Sequence, residues 1–600
     1  MNVTNSLDRT QWRAPRVPFL LHRLATERRR VARPALIGVL SHLALLGPVA
    51  AVVVFAWGRR WVTDDAFINF RIVDNLVSGH GPVFNIGERV EAATSTLWLA
   101  ILTGAQLLPG DVPLEWWSVF LGIAATAIGV YFGQRGALTL VGGSGRWWLP
   151  LGALVFVALP PVWDFTTSGL ENGLSFGWLG VAYASVAAVF AHPLWTWKRW
   201  APLAVLVSLG PLVRPDLGLY WVALGAGMLM ALGRRGKRSY AGALLALTAV
   251  PVAYQVFRMG YYASLVPNTA LAKEAALSRF DQGWIYLKDL VAPYWLLVPF
   301  TVVVLVAVWL VPRGNRRHAA IWLTPAVAGA VHTFYVVRLG GGYMHGRMLL
   351  PAVLAVLLPV MAVRVSKVTA PAVAAVFVWA LVCSTSLRVS YLVEDPSGLL
   401  VDERHFYQIN AADPVDPNKL STHPVTLHDY RRMQFMDAVR RYEAVRRDDP
   451  TYVEMVMLEV VEQRPLVDAH EGRDVVAMGN LGIFGYAVGD RAFLADAAGL
   501  ADPIAARIQI PEDAHRGKPG HEKGLPLVWF RARFTSPTAD GAEQAAARAM
   551  QCGGLKEVLD ATSAPLTPAR FLSNLVNAPS NTSLRIPADP LLAEQRLCEN

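Results

Sequence analysis

Two adjacent carboxylates open the richest polar stretch of this chain. Asp64 and Asp65 stand in WVTDDAFINFRIVDNLVSGHGPVFNIGERVEAATSTLW, Trp61 to Trp98, directly after an apolar run of about twenty residues that is long enough to cross a bilayer. Acids this close to hydrocarbon are costly to desolvate, so they face a wet cavity or a cationic partner rather than lipid. Such a pair can act as a general base on a hydroxyl, as a nucleophile, or as part of a divalent-cation site. It also suits the first turn of a helix over AFINFRIVDNL, capped by Thr63 or by either aspartate, and the dipeptide alone does not separate these roles.

Cations recur in the later polar loops. RMGYYASLVPNTALAK, residues 258–273, joins Arg258 and Lys273 to Tyr261, Tyr262 and a turn at Pro267-Asn268, a set able to hold a phosphate beside an apolar tail. Taken singly, each cation better suits snorkelling at a bilayer surface. GGGYMHGR sets three glycines ahead of His345 and Arg347. Glu171 in TTSGLEN, and Arg214 with Asp216 around Pro215, sit at the ends of apolar runs, and either can equally be a plain intramembrane ion pair. The glycines of NLGIFGYAVGD match neither a dinucleotide nor a P-loop fingerprint, so no soluble nucleotide site is visible.

The elements that must position these groups are membrane helices. Over 600 residues, 54% are hydrophobic and 17% charged, with a mean hydropathy of +0.35, which is the composition of a polytopic membrane protein. The net charge of +10 lies largely in the Arg-rich N-terminus and in short loops, so topology explains it better than a nucleic-acid partner. Eleven apolar runs, at about 36–57, 114–134, 147–162, 173–191, 200–213, 216–232, 239–257, 294–311, 319–337, 347–363 and 369–391, predict eleven spans. The run at 95–108 is short and ends at Pro109-Gly110, so it reads as an interfacial or re-entrant helix.

With residues 1–35 in the cytoplasm, basic residues such as Arg135, Lys198, Arg199 and Arg313 fall on the inner side, and every motif-bearing loop falls outside. A cleaved signal over the first run is the weaker alternative. Three regions follow: a cytoplasmic segment 1–35, a transmembrane region 36–391, and a C-terminal domain 392–600 on the outer side. The last reads as a small α/β cap, with an amphipathic helix near 428–447 and strands at 474–480 and 526–534. Cys552 and Cys598 can pair there if the compartment is oxidising, whereas Cys383 lies in an apolar run and the C-x2-C spacing of a zinc site is absent. A transporter would show an internal repeat of broken helices, which is not seen. A non-catalytic glycan-binding scaffold is the third class.

Taken together, the loops resemble a known family. The DD loop, Phe84 to Ser95, TSGLE (Thr167 to Glu171), VRPD (Val213 to Asp216) and Tyr261 to Lys273 look like the GT-C class of polytopic glycosyltransferases, which use polyprenyl-phosphate sugars outside the cytoplasm. Within that class the likeness is to the mycobacterial AftB family of terminal arabinofuranosyltransferases. It runs through GERVEAATST, PVAYQVFRMGYY, GGYMHGR, VDERHFY (Val401 to Tyr407) and APLTPARFLSN (Ala564 to Asn574).

The resemblance implies a plasma-membrane enzyme with its active site on the periplasmic face. Its donor would be decaprenyl-phosphoryl arabinose and its acceptor the arabinan ends of arabinogalactan or lipoarabinomannan, joined by a terminal β-1,2 linkage. Asp64 and Asp65 then become catalytic, and Arg258, Tyr261, Tyr262, Lys273, Arg214, His345 and Arg347 become donor-binding. Glu91, Glu171 and His423 become acceptor-binding. Tyr343 stands where an acid is expected, which weakens GGYMHGR as a metal site, and a divalent cation stays an open question. A β donor giving a β product is net retention, reached through a glycosyl-carboxylate or by front-face attack.

Overall fold

The computed structural model describes residues 43–141, 147–233, 235–274, 277–411, 423–468, 470–510, 518 and 520–599. The predicted cytoplasmic segment 1–35 and the start of the first apolar run lie outside the described residues. The chain is a mostly helical membrane protein. Among the described residues, six helices are long and apolar enough to cross a bilayer: Leu114–Val141, Asn172–Ala191, Pro215–Leu232, Lys237–Tyr262, Arg316–Arg338 and Thr369–Ser386. Leu43–Gly58, Thr96–Gln106, Leu297–Leu310 and Arg347–Val360 are shorter apolar helices.

Several predicted runs are interrupted for local reasons. The run at 147–162 splits into Leu151–Val157 and a second helix that Pro160 and Pro161 begin, because neither ring can donate into a continuing helix. The run at 200–213 ends as a helix at Ser208, with a separate turn at Gly210–Val213. Thr96–Gln106 has 11 residues, a length of about 16 Å, too short for a crossing, as expected for the segment at 95–108. Small residues let the central helices meet. A Cβ on Gly129 would lie 2.2 Å from the carbonyl oxygen of Phe176, so Leu114–Val141 and Asn172–Ala191 touch backbone to backbone.

The C-terminal region is α/β. Strands β1 (Trp148–Leu149) and β2 (Val363–Arg364) pair only with each other, in the membrane part. In the C-terminal region, β3 (Thr451–Val456), β4 (Glu459–Pro465), β5 (Asp474–Met478) and β6 (Ala492–Asp496) form one sheet in the order β4-β3-β5-β6. The pair β3-β4 is antiparallel, whereas β3-β5 and β5-β6 are parallel. Helix Gly482–Val488 crosses between β5 and β6, which makes a short βαβ unit.

The predicted strand at 474–480 is β5, and the predicted amphipathic helix is Gln434–Val445. The predicted strand at 526–534 is instead the helix Val528–Phe534. Its alternation of Phe530, Ala532 and Phe534 mimics a strand, yet Trp529 beside Phe530 is also buried, which only a helix accommodates on one packed face. A disulfide joins Cys552 to Cys598.

The two parts are bound into each other. Buried Arg71, on the Asp64–Val77 helix, donates to the carbonyls of Phe84 (2.9 Å), Gly485 (2.6 Å) and Ala492 (2.7 Å), the last two in the βαβ unit. Asn574 donates to the carbonyl of Gly260 at 3.0 Å, which seats helix Pro568–Ser583 on the end of Lys237–Tyr262.

Candidate functional site

Asp64 and Asp65 are the first two residues of helix Asp64–Val77, and neither caps it. Thr63 holds the N-cap position but donates its hydroxyl to Glu403 Oε2 at 3.0 Å instead. The Asp64 carboxylate accepts from the backbone N–H of Ile483 (2.7 Å) and of Gly482 (3.3 Å), at the start of the βαβ crossover helix. It therefore serves the N-terminus of a helix 418 residues away rather than that of its own. Burial raises the Asp64 carboxyl to about 7, against the pull of the Ile483 hydrogen bond and with the Asp65 charge adding to the rise. Asp65 accepts no hydrogen bond from the described residues and lines the same cavity.

Three cavities meet around these acids. One of about 400 Å³ is lined by Asp64, Asp65, Glu403, Tyr407, Lys273 and Tyr343, and is closed from the C-terminal region by Gly479, Asn480 and Leu481. A second, of about 210 Å³, is cationic: Arg214, Arg279, Arg347 and Lys273 line it with Thr269 and Tyr335. Lys273, Tyr343 and Gly520 belong to both, so the acidic and cationic spaces adjoin there. The exposed surface of Lys273 is cavity wall deep in the fold, and desolvation lowers its pKa despite the nearby Asp65 charge. A third cavity, of about 450 Å³, holds Asp164, His345, Asp402, His423 and three arginines, and meets the acidic one at Glu403.

The cationic cavity is built from ion pairs that keep a surplus of donors. Arg214 Nη1 (3.0 Å) and Arg347 Nη2 (3.2 Å) both donate to Glu171 Oε1, and Arg214 Nε donates to Asp216 at 2.9 Å. Arg347 Nε reaches Asn172 Oδ1 at 3.1 Å, leaving the buried Asn172 amide nitrogen without a partner. Thr269 Oγ1 is likewise buried and unpartnered. Arg279 pairs with Glu522 at 3.1 Å. Orphan donors beside cations suit an anion carrying several acceptor oxygens.

Not every expected residue is found there. Arg258 donates twice to Glu91, at 2.6 and 3.1 Å, while the Tyr254 hydroxyl donates to the same carboxylate at 2.6 Å. Arg258 and Glu91 thus satisfy each other, and neither lines any of the three cavities. Nor do Tyr261, stacked on Phe257, and Tyr262, which donates to the carbonyl of Pro82 at 2.8 Å. Glu171 is the shared counter-ion of two arginines. His345 is held between Asp289 (2.5 Å) and the Tyr294 hydroxyl (2.9 Å), and His423 shares its cavity. Among the described residues there is no cluster of three or more His, Cys, Asp or Glu suited to a metal.

Two residues escaped the sequence-level reading, Glu403 and Arg279. Glu403 lies in VDERHFY, a stretch that drew notice, yet nothing in the sequence says that its partners are Thr63 and Tyr343. Tyr343, where an acid is expected, hydrogen-bonds to that acid.

Comparison with known proteins identifies the family. Residues 429–594 match the AftB family C-terminal domain. A Mycobacterium tuberculosis protein named terminal β-(1→2)-arabinofuranosyltransferase is 32% identical, over 91% of this chain and 96% of its own. A Corynebacterium glutamicum protein of the same name is 32% identical over 80% of this chain and 76% of its own. No solved structure matches the chain. Identity at this level along almost the full length of a relative, with the matching C-terminal domain, means that the chain belongs to the AftB family of arabinofuranosyltransferases and is a membrane-embedded glycosyltransferase.

Proposed function

We propose that this protein transfers arabinofuranose from decaprenyl-phosphoryl arabinose to the non-reducing ends of arabinan, in arabinogalactan or lipoarabinomannan, forming terminal β-1,2 linkages. It does so at the periplasmic face of the plasma membrane. The observation that carries this reading is the junction at Lys273 and Tyr343 of a cationic cavity with an acidic one. A sugar phosphate needs that arrangement: fixed cations for the phosphate, and carboxylates at the sugar for the transfer.

In this reading Arg214, Arg347, Lys273 and Arg279 hold the lipid phosphate, and Thr269 supplies a further donor. Arg258, Tyr261 and Tyr262 are structural, as is the Arg258–Glu91 pair. Asp64, with a pKa near 7, takes the proton of the acceptor hydroxyl. Asp65, unencumbered by hydrogen bonds, faces the anomeric carbon. Retention then proceeds through a glycosyl ester on Asp65, or by front-face attack with Asp65 stabilising the oxocarbenium-like centre. The polypeptide crosses the membrane eleven times, with residues 1–35 in the cytoplasm and 392–600 as a periplasmic cap. The cap contributes the N–H groups that hold Asp64.

The test is incubation of the purified protein with synthetic polyprenyl-phosphoryl arabinofuranose and a short arabinan, followed by linkage analysis. A terminal β-1,2-arabinofuranosyl product is expected. Binding of arabinan without any product would turn the reading to a glycan-binding scaffold, and transfer of another polyprenyl-linked sugar would change the donor.

A further inference from the structure

We propose that Glu403, acting through the Tyr343 hydroxyl, is the acid of this reaction, delivering a proton to the departing lipid phosphate while Asp64 takes one from the acceptor. The inference rests on the transferase reading above and adds to it a second proton-transfer group with a defined path.

The backbone fixes the pair. Met344 and Val401 form a parallel bridge, in which the Val401 N–H donates to the carbonyl of Tyr343 (2.8 Å) and the His345 N–H to that of Val401 (3.2 Å). The two residues of interest therefore flank one bridge. Gly341, with φ +76° and a would-be Cβ 2.3 Å from the Tyr286 ring, lets the chain turn into it. The Tyr343 hydroxyl then donates to Glu403 Oε1 at 3.2 Å, while Thr63 occupies Oε2. Tyr343 lines both the acidic cavity that holds Glu403 and the cationic cavity beside it.

Glu403 is 7% exposed and has no cation within salt-bridge distance among the described residues. The charged and titratable groups facing it are Asp64 and Asp65 from the first polar loop, Tyr343 and Arg347 from the glycine loop, and Tyr407 and Tyr430 from the C-terminal region. Lys273 shares its cavity, and His521 stands edge-on to Tyr343. Burial and the Asp65 charge raise the Glu403 carboxyl well above the ordinary range, with Arg347 and the Thr63 hydrogen bond opposing them. Two carboxyls in unlike surroundings, one beside backbone N–H groups and one beside other acids, are the usual means by which one site holds both a base and an acid.

The protons balance. With Glu403 protonated, the 3.2 Å contact runs the other way, from the carboxyl O–H to the Tyr343 hydroxyl oxygen, which frees the Tyr343 proton. As the anomeric C–O bond breaks, its electron pair passes to the phosphate oxygen, which takes the Tyr343 hydroxyl proton while Tyr343 takes that of Glu403. The acceptor oxygen forms the new bond to the anomeric carbon, and its proton goes to Asp64. Between turnovers Asp64 gives up its proton to solvent and Glu403 takes one from it, so each turnover leaves the site unchanged.

The experiment compares Glu403→Gln and Tyr343→Phe with wild type, using the polyprenyl-phosphate donor and a donor whose leaving phosphate carries an electron-withdrawing aryl ester. In each folded variant kcat should fall on the order of 100-fold or more with the lipid donor, while donor affinity stays near wild type. The deficit should shrink with the aryl donor, whose leaving group needs no proton, and the alkaline limb of the wild-type pH profile should be missing from Glu403→Gln. Tyr343→Phe removes one hydroxyl and carries the test alone if Glu403→Gln does not fold. The proposal is overturned if Tyr343→Phe keeps kcat within about threefold of wild type, or if the deficit is the same with both donors. A wild-type protein that transfers no sugar from either donor would overturn the transferase reading itself, a separate result.

Discussion

Gly482→Ala is the substitution whose outcome depends most directly on how the two parts of the chain meet. In an isolated helix, glycine to alanine near the first turn is stabilising by up to about 1 kcal/mol. Here the added Cβ would lie 2.0 Å from the Asp64 carbonyl oxygen and 2.5 Å from both its Cγ and Oδ2. The nearest of these is backbone, so no rotamer change relieves it. The Asp64 turn or the crossover helix must retreat by about 1 Å, and overpacking of this kind costs about 1–3 kcal/mol. The same retreat breaks the N–H bonds from Gly482 and Ile483, and a misplacement of about 1 Å at a reacting group costs on the order of 100-fold in rate. Steady-state arabinosyl transfer and thermal unfolding should show both losses together. Gly479→Ala is the matched control. It is three residues earlier, lines the same cavity, and its Cβ would meet nothing within 4 Å. Wild-type turnover and melting temperature in Gly482→Ala, or equal damage from both substitutions, would refute the claim that the C-terminal region positions Asp64 for transfer.

Other expectations follow from the same geometry. Asp64→Asn should abolish transfer, and Asp65→Asn should impair it severely. Because the folded carboxyl of Asp64 is raised to about 7, its contribution to stability is full below the unfolded value of about 3.9 and is lost as pH rises towards 7, so Asp64→Asn should unfold no earlier than wild type at pH 8. The wild-type rate should correspondingly rise with pH as Asp64 loses its proton near 7, as seen in a pH profile of kcat. Lys273→Ala should weaken donor binding by about 10- to 100-fold in a titration at saturating acceptor. Arg258→Ala should leave that constant unchanged and instead lower stability by about 3–5 kcal/mol, since it strands buried Glu91. An impermeant thiol reagent applied to intact cells should label single cysteines introduced after residue 391 but not in the basic loop at 235–238, and the opposite pattern would reverse the topology.

Periodicity and charge placement made the membrane helices readable, because a hydrocarbon environment constrains sequence more tightly than any soluble core does. Helix Thr96–Gln106 was legible as a short apolar helix, from the length of its run and the stop at Pro109-Gly110. Pairing was not legible. Arg258 looks like a phosphate ligand until its partner is known, and Glu91 lies 167 residues away. Glu171 looks like an acceptor contact until two arginines are found on one of its oxygens. Glu403 belonged to a noted motif, but its chemistry depends on Thr63, 340 positions earlier, and on a tyrosine brought to it by a backbone bridge. Helix Val528–Phe534 misleads because seven residues are too few to separate a period of 2 from one of 3.6.

The reach of Arg71 and Asp64 into the βαβ unit also bears on how the protein is made. Both residues emerge from the ribosome roughly 400 positions ahead of their partners at Gly482, Gly485 and Ala492. Until that last stretch has been synthesised and delivered to the same side of the membrane, a guanidinium and a carboxylate destined for burial are left solvated in an open vestibule. A nascent chain can therefore acquire its membrane helices in order before the hydrogen bonds that hold Asp64 and Arg71 can form. A chain released anywhere before Gly482 lacks every one of these partners, so the loop that they cover in the finished protein stays open.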